Sequence, residues 1–297
     1  MKNKQLLGSL LLVVTAMIWG TAFVFQRVGM EHIEPVTFTA VRMAVAGVFI
    51  GLFSKAADLR KRKEEKNDVK NKKDTLLGGI LCGIFLSLAS IAQQMGIVYT
   101  SAGKAGFITS LYILLVPVIN LLIFRQKSSL RIWCGVILGI VGMYLLCVKE
   151  DFSITYGDIL IAVCALLFSG HILCCDRFSK RAEPLKLSFV QFVTTAVISA
   201  AAAFIVETPT WEKVFSAVIP ILYCGVVSGG IGYTLQMVAQ KYTKPTAASL
   251  LMSLESVFAV LAGTLLLGER MSVQELFGCI IMFAAIVWVQ IPLPKKK

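Results

Sequence analysis

One carboxylate inside a long apolar run is the feature of this sequence most able to do chemistry. Between Pro245 and Leu267 the only ionisable side chain is Glu255, near the middle of the run. About 20 apolar residues make a membrane-spanning helix, and a carboxylate at its centre costs several kcal/mol unless it faces protein or water. Glu255 therefore either lines a polar cavity or sits protonated and hydrogen-bonded to a neighbouring helix, and the first reading is the default for an intramembrane charge. Arg42 poses the same question. It lies about 10 Å below one membrane surface at ~1.5 Å rise per residue, too deep to snorkel comfortably. Its guanidinium either grips a substrate carboxylate as a bidentate fork or pairs with Glu31, Glu34 or Glu255.

Neutral groups surround these two charges in the chain. Gln93, Gln94, Gln191 and Gln236 offer donors and acceptors to a polar solute or hydrogen bonds between helices. His171 and Glu255 are the candidate proton carriers, the alternative for His171 being a neutral, hydrogen-bonded core histidine. Trp19, Tyr99 and Tyr112 are candidate cavity walls, with the interfacial aromatic belt as the other place for Tyr99. The candidate cavity is thus Trp19, Arg42, Gln93, Tyr112, His171, Gln191, Gln236 and Glu255. No metal or cofactor is indicated. The eight cysteines lie in apolar runs without a C-x-x-C pair, where cysteine acts as a small hydrophobe.

The elements that must position these residues are membrane helices. The chain is 57% hydrophobic and 15% charged, with mean hydropathy +0.79, far from a soluble domain. Ten apolar runs follow in order: Leu6–Val28, Pro35–Phe53, Leu76–Tyr99, Ala102–Phe124, Ile132–Val148, Ile159–Cys175, Leu187–Val206, Val214–Ala239, Thr246–Leu267 and Val273–Ile291. The first is too long for a signal-peptide core and lacks a cleavage site, so it reads as a retained span. Connections are short except Ser54–Thr75, whose nine basic and five acidic residues predict a mobile or marginally helical loop.

Basic residues set the orientation. One set of alternating helix ends holds 23 Lys and Arg, the other five, and Arg42 completes the 29. The positive-inside rule then places both termini and the Ser54–Thr75 loop in the cytoplasm. The net charge of +12 is explained by topology, so no nucleic-acid partner is needed; membrane lipid is the partner that composition implies.

The two halves repeat. An offset of 149 carries Gly8–Met43 onto the second half, matching Gly8 with Gly157, Glu34-Pro35 with Glu183-Pro184, and Arg42 with Gln191. An offset of 143 matches Gln93 with Gln236, Ser110-Leu111 with Ser253-Leu254, and Tyr112 with Glu255. Each repeat, 1–149 and 150–297, holds five spans, an odd number, so the second copy is inverted in the membrane. The expected fold is all-α, ten transmembrane helices in two inverted five-helix repeats. Such repeats place a site near mid-membrane and support alternating access. Pro117 is expected to kink the fourth span, and Gly229-Gly230 with Gly232 to permit bending of the eighth. Small-xxx-small pairs such as Gly79/Gly83 and Gly225/Gly229 are expected to pack helices closely.

The sequence also resembles the EamA family of drug/metabolite transporters along nearly its whole length. The resemblance rests on Trp19-Gly20, on Pro35 with Arg42 and its counterparts Pro184 and Gln191, and on Leu266-Leu267-Gly268-Glu269-Arg270 with Gly278. Two motifs depart from the family: Leu254-Glu255-Ser256 stands where Leu-Glu-Pro is usual, and Phe124-Arg125-Gln126-Lys127 is a degenerate junction. The resemblance implies ten helices, a central cavity and transport of small organic solutes, often amino acids or related metabolites, commonly outward; with the inverted repeat the chain reads as a plasma-membrane secondary transporter, and Glu255 and His171 make protons the candidate coupling ions. A lipid-carrier flippase or a channel is the alternative. An intramembrane enzyme has no support, since there is no H-E-x-x-H and Ser169-Gly170-His171 cannot pair a nucleophile with a base on one helix.

Overall fold

The computed structural model describes residues 2–60, 69–99, 102–126, 128–147, 155–268 and 272–290. Helices account for the bundle: α1 (Lys2–Gly29), α2 (Pro35–Arg60), α3 (Val69–Tyr99), α4 (Ala102–Ser110), α5 (Tyr112–Phe124) and α6 (Leu130–Cys147) in the first repeat. The second has α7 (Tyr156–Ser179), α8 (Pro184–Val206), α9 (Trp211–Ser216), α10 (Val218–Leu222), a π-helical segment (Tyr223–Tyr233), α11 (Thr234–Gln240), α12 (Pro245–Met252), α13 (Glu255–Leu267) and α14 (Val273–Gln290). Among the described residues, eight helical runs are long and apolar enough to cross a membrane, and two shorter ones, Leu130–Leu145 and Val273–Val289, complete the ten. The packing follows the repeat: α2 meets its counterpart α8, α6 meets α14, and α3 lies along α7 as the π segment and α11 lie along α1.

Polarity is sorted outward-apolar and inward-polar. Leu10, Val48, Leu52, Leu122, Val197, Ile205 and Leu265 are exposed, a continuous apolar surface that suits lipid. Arg42, Gln93, Gln94, His171, Gln191, Gln236 and Glu255 are all buried.

Several local features differ from the sequence-based expectations. Most of the supposed loop Ser54–Thr75 that is described is helical, because α2 runs on to Arg60 and α3 begins at Val69; 61–68 lies outside the described residues, as does the division between the repeats at 149/150. The eighth span starts at Val218, since Val214 belongs to the separate short helix α9, where Trp211 and Phe215 are exposed. Pro117 sits inside the continuous helix α5, and the interruption of that span falls six residues earlier, at Leu111.

The ninth span is interrupted at the repeat-related place although it lacks the proline. Leu111 and Leu254 have nearly the same backbone, φ −59 and ψ −11 against φ −58 and ψ −14. Each is a tight turn closed by three-residue bonds, Leu111 N to Ile108 O and Leu254 N to Leu251 O, the kind of 3₁₀ turn that marks a hinge in mid-helix. In the second repeat serines bend the helix instead: Ser253 Oγ donates to Leu250 O at 2.8 Å and Ser256 Oγ to Ser253 O at 2.7 Å, back-bonding that competes with the helical ladder.

Candidate functional site

Where the two interrupted spans meet, the first residue of α5 touches the first residue of α13. Tyr112 Oη donates to Glu255 Oε1 at 2.8 Å, and Ser110 Oγ donates to the same oxygen at 3.2 Å. Both half-helix N-termini point their positive ends at this place. Glu255 is only 4% exposed, so these two hydroxyls and the helix end take over the solvation that water would give a carboxylate.

Glycine admits the backbones on which the charges ride. A Cβ on Gly20 would stand 2.5 Å from the Glu255 carbonyl oxygen, and one on Gly225 would stand 2.8 Å from the Arg42 carbonyl oxygen. Any larger residue would push α1 off α13, or the π segment off α2. The π segment has a second effect on the site. The Ser228 carbonyl within it accepts from Trp19 Nε1 at 3.2 Å, and Trp19 leans on Tyr233 with ring centroids 4.6 Å apart.

Arg42 faces the same space from α2. Its Nη1 donates to Gln26 Oε1 at 3.0 Å, and its guanidinium carbon lies 5.5 Å from the centre of the Phe38 ring. None of the described ion pairs includes Arg42; Glu34 bonds Lys213 instead, so an Arg42–Glu34 or Arg42–Glu255 ion pair is not formed. Arg42 Nε and both amide atoms of Gln236 have no hydrogen-bond partner in the protein, and both residues line the cavity.

The cavity is lined by Trp19, Gln26, Arg42, Gln93, Thr109, Tyr112, Phe168, His171, Ser228, Tyr233, Gln236 and Glu255, with Ala22, Phe23 and Ile172 between them. Seven of the eight residues singled out from the sequence are therefore brought together. Gln191 is the exception: it stands behind the wall and its Oε1 meets His171 Nε2 at 3.1 Å. Tyr99 is 59% exposed and edge-on to Tyr156, away from the cavity, and Gln94 is buried outside it. Sequence reasoning missed Gln26, Thr109, Phe168, Ser228 and Tyr233. The repeat offset held a signal for one of them, because 19 + 149 = 168 pairs Trp19 with Phe168.

The space is narrow. Its volume, counted as the space open to the centre of a water molecule, is about 40 Å³. At ~10–15 Å³ per water, that is room for about three waters.

At one end of the bundle polar contacts tie α8 to α2. The Glu207 carboxylate, at the end of α8, accepts from Val36 N at 2.9 Å, Thr37 N at 2.7 Å and Thr37 Oγ1 at 2.6 Å, satisfying the free N–H groups of the α2 N-terminus. Beside it Lys213 bonds Glu34. Burial pushes the Glu34 carboxyl up, but the hydrogen bond and charge of Lys213 outweigh it and hold the group below the ordinary 4.5.

Comparison with known proteins agrees with this architecture. The family description "EamA-like transporter family" matches residues 6–148 and again 155–291. A protein of Archaeoglobus fulgidus described as an uncharacterized transporter is 31% identical over 288 residues, covering 97% of this chain and 87% of its own. Uncharacterized transporter YoaV of Bacillus subtilis is 22% identical over 291 residues, 95% of each chain. A solved crystal structure superposes with a TM-score of 0.76 over 98% of this chain and 97% of its own, at 16% identity, a likeness of fold.

Proposed function

The chain belongs to the EamA-like transporter family, and from that premise we propose that it is a plasma-membrane secondary transporter exporting small amino-acid-like metabolites by alternating access. One observation carries the reading. Arg42 and Glu255, from opposite repeats, line a single cavity without being paired to each other. A cation and an anion held apart across a polar cavity complement a solute bearing a carboxylate and an amine, each of which would meet the charge it lacks.

In this reading the solute carboxylate takes the Arg42 fork, the amine lies near Glu255, and Gln93 and Gln236, at repeat-related positions, supply neutral hydrogen bonds. Room for about three waters is too little for such a solute, so the conformation is a closed one and transport requires the two repeats to move. The tight turns at Leu111 and Leu254 are the hinges. The positive-inside rule puts the Glu207 latch on the outer face, so opening outward breaks the contacts between Glu207 and the α2 N-terminus. Glu255 and, when it holds no metal, His171 are the protonatable groups in the wall, and a proton on Glu255 weakens its hold on an amine, which gives a route to coupling.

A flippase would use the apolar groove between α2 and α8, lined by Gly47, Gly51, Val193 and Val197. That groove shares no lining residue with the cavity, so it leaves the two charges without a task. Comparing metabolites released by cells with and without the protein tests the reading. Increased release of zwitterionic solutes supports it; release of lipid carriers alone would replace it with the flippase.

A further inference from the structure

We propose that Cys82, His171 and Cys175 form a binding site for a zinc ion between α3 and α7. No cysteine spacing announces it, because the ligands come from two repeats: Cys82 from α3, and His171 and Cys175 one helical turn apart on α7. One potential ligand atom from each lies within 4.8 Å of the others, and all three residues are buried.

The separations are those an ion would need. Tetrahedral zinc with Zn–S of ~2.3 Å and Zn–N of ~2.0–2.1 Å sets two sulfurs about 3.8 Å apart and a sulfur and nitrogen about 3.6 Å apart. Cys175 Sγ lies 4.0 Å from Cys82 Sγ, 3.5 Å from His171 Nε2 and 3.7 Å from His171 Nδ1. The Cys175 separations thus match within a few tenths of an ångström, all three ligand atoms lie within 4.8 Å of one another, and the fourth position of the tetrahedron falls to a water.

The surroundings fit as well. His171 Nε2 faces Gln191 Oε1 at 3.1 Å. With Nε2–H donating to that oxygen, Nδ1 keeps its lone pair for the ion, the arrangement in which an outer hydrogen bond orients a metal-binding histidine. Charge balances too: two thiolates and one neutral imidazole around Zn²⁺ sum to zero, so the complex carries no net charge into the apolar interior. Softness selects zinc over magnesium or calcium, which prefer oxygen. The repeat explains why one such place exists. With the offset of 149, Cys175 corresponds to Gln26 and Gln191 to Arg42, so the cluster stands where the other half has its Arg42–Gln26 pair.

The test uses the full-length protein in detergent under a non-thiol reductant, stripped with chelator and titrated with Co²⁺. The site predicts one Co²⁺ per chain, a thiolate-to-cobalt charge-transfer band, and displacement of that band by Zn²⁺. Cys82→Ser and Cys175→Ser should abolish the band, Cys279→Ser should retain it, and Gln191→Leu should weaken zinc binding about 10–100-fold. X-ray absorption on the zinc-loaded wild type needs no variant and should show sulfur neighbours at ~2.3 Å and a nitrogen at ~2.0–2.1 Å. A wild-type protein without the band, a band that survives in Cys82→Ser, or zinc with oxygen and nitrogen neighbours alone would overturn the proposal. None of these measurements uses a transported solute, so failure of the transport reading leaves the site standing, and the converse holds.

Discussion

Tyr112 and Glu255 hold equivalent positions in the two repeats, and they hydrogen-bond to each other at 2.8 Å. One offset, 255 − 112 = 143, thus joins residues that are both related by the repeat and in contact. Contact between equivalent residues means that they flank the pseudo-two-fold axis. The cavity is built around that axis, with each half contributing a tight turn one residue before its member of the pair.

Tyr112→Phe removes one donor from a buried carboxylate and leaves shape unchanged. A hydrogen bond to a charged group is worth ~1.5–3 kcal/mol. The variant should fold, melt a few degrees lower than wild type, and show altered pH dependence of transport. Thermal unfolding in detergent and uptake across a pH series check both parts; an unchanged melting temperature would remove the bond from the account.

Glycine contacts give a sharper contrast. Gly20→Val should disrupt the α1–α13 approach, since even a Cβ there would be 2.5 Å from the Glu255 carbonyl oxygen. Gly106→Ala should be tolerated, because its nearest neighbour, on Phe23, is 4.0 Å away. Overpacking costs ~1–3 kcal/mol or more, and size-exclusion profiles of the expressed variants read the difference. Equal behaviour of the two would contradict the packing.

The latch at the α2 N-terminus is open to test through Glu207. Glu207→Gln keeps the shape but loses the charge-assisted bonds to Val36 N and Thr37 N, and should raise labelling of a cysteine placed at Trp19 by an impermeant reagent added outside. Acid should act in the same direction on the neighbouring pair. Glu34 is held below 4.5, so its contribution is present above that value and is lost as pH falls through its lowered value. The pair is partly exposed, so its worth is about 1 kcal/mol at most. Labelling that is unaffected in Glu207→Gln would show that the latch does not control access.

The orientation proposed for the chain rests on the charge split alone. Cysteine labelling should find the 54–75 segment and Lys295–Lys297 on the cytoplasmic side. Finding both outside would place the Glu207 end of the bundle on the cytoplasmic face instead.

Span number and the repeat were legible because hydropathy and small-residue landmarks survive in a single chain. The partners of Arg42 were not, because a helix that is apolar all round gives no periodic sign of which face meets protein. Gln26 lies unmarked within the first apolar run, and Ser228 acts through its backbone carbonyl, which no side-chain pattern announces. The interruption at Leu254 was masked for a different reason: proline is the expected breaker, and serine back-bonding does the same work. The cysteine cluster was hidden because its members are 89 and 4 residues from His171 (171 − 82 and 175 − 171), a spacing that only the packing of α3 on α7 converts into proximity.

The most direct test of the central claim is uptake into liposomes by folded Arg42→Gln and Glu255→Gln, using zwitterionic, carboxylate-only and amine-only solutes. Removing one partner of a buried charged contact costs ~2–5 kcal/mol, about 30-fold or more in affinity. Arg42→Gln should lose the solutes that carry a carboxylate, and Glu255→Gln those that carry an amine, each by that factor; both should fold, with Glu255→Gln melting a few degrees below wild type as Tyr112→Phe does. Unchanged transport of all three classes by both well-folded variants would contradict the binding role given to this pair.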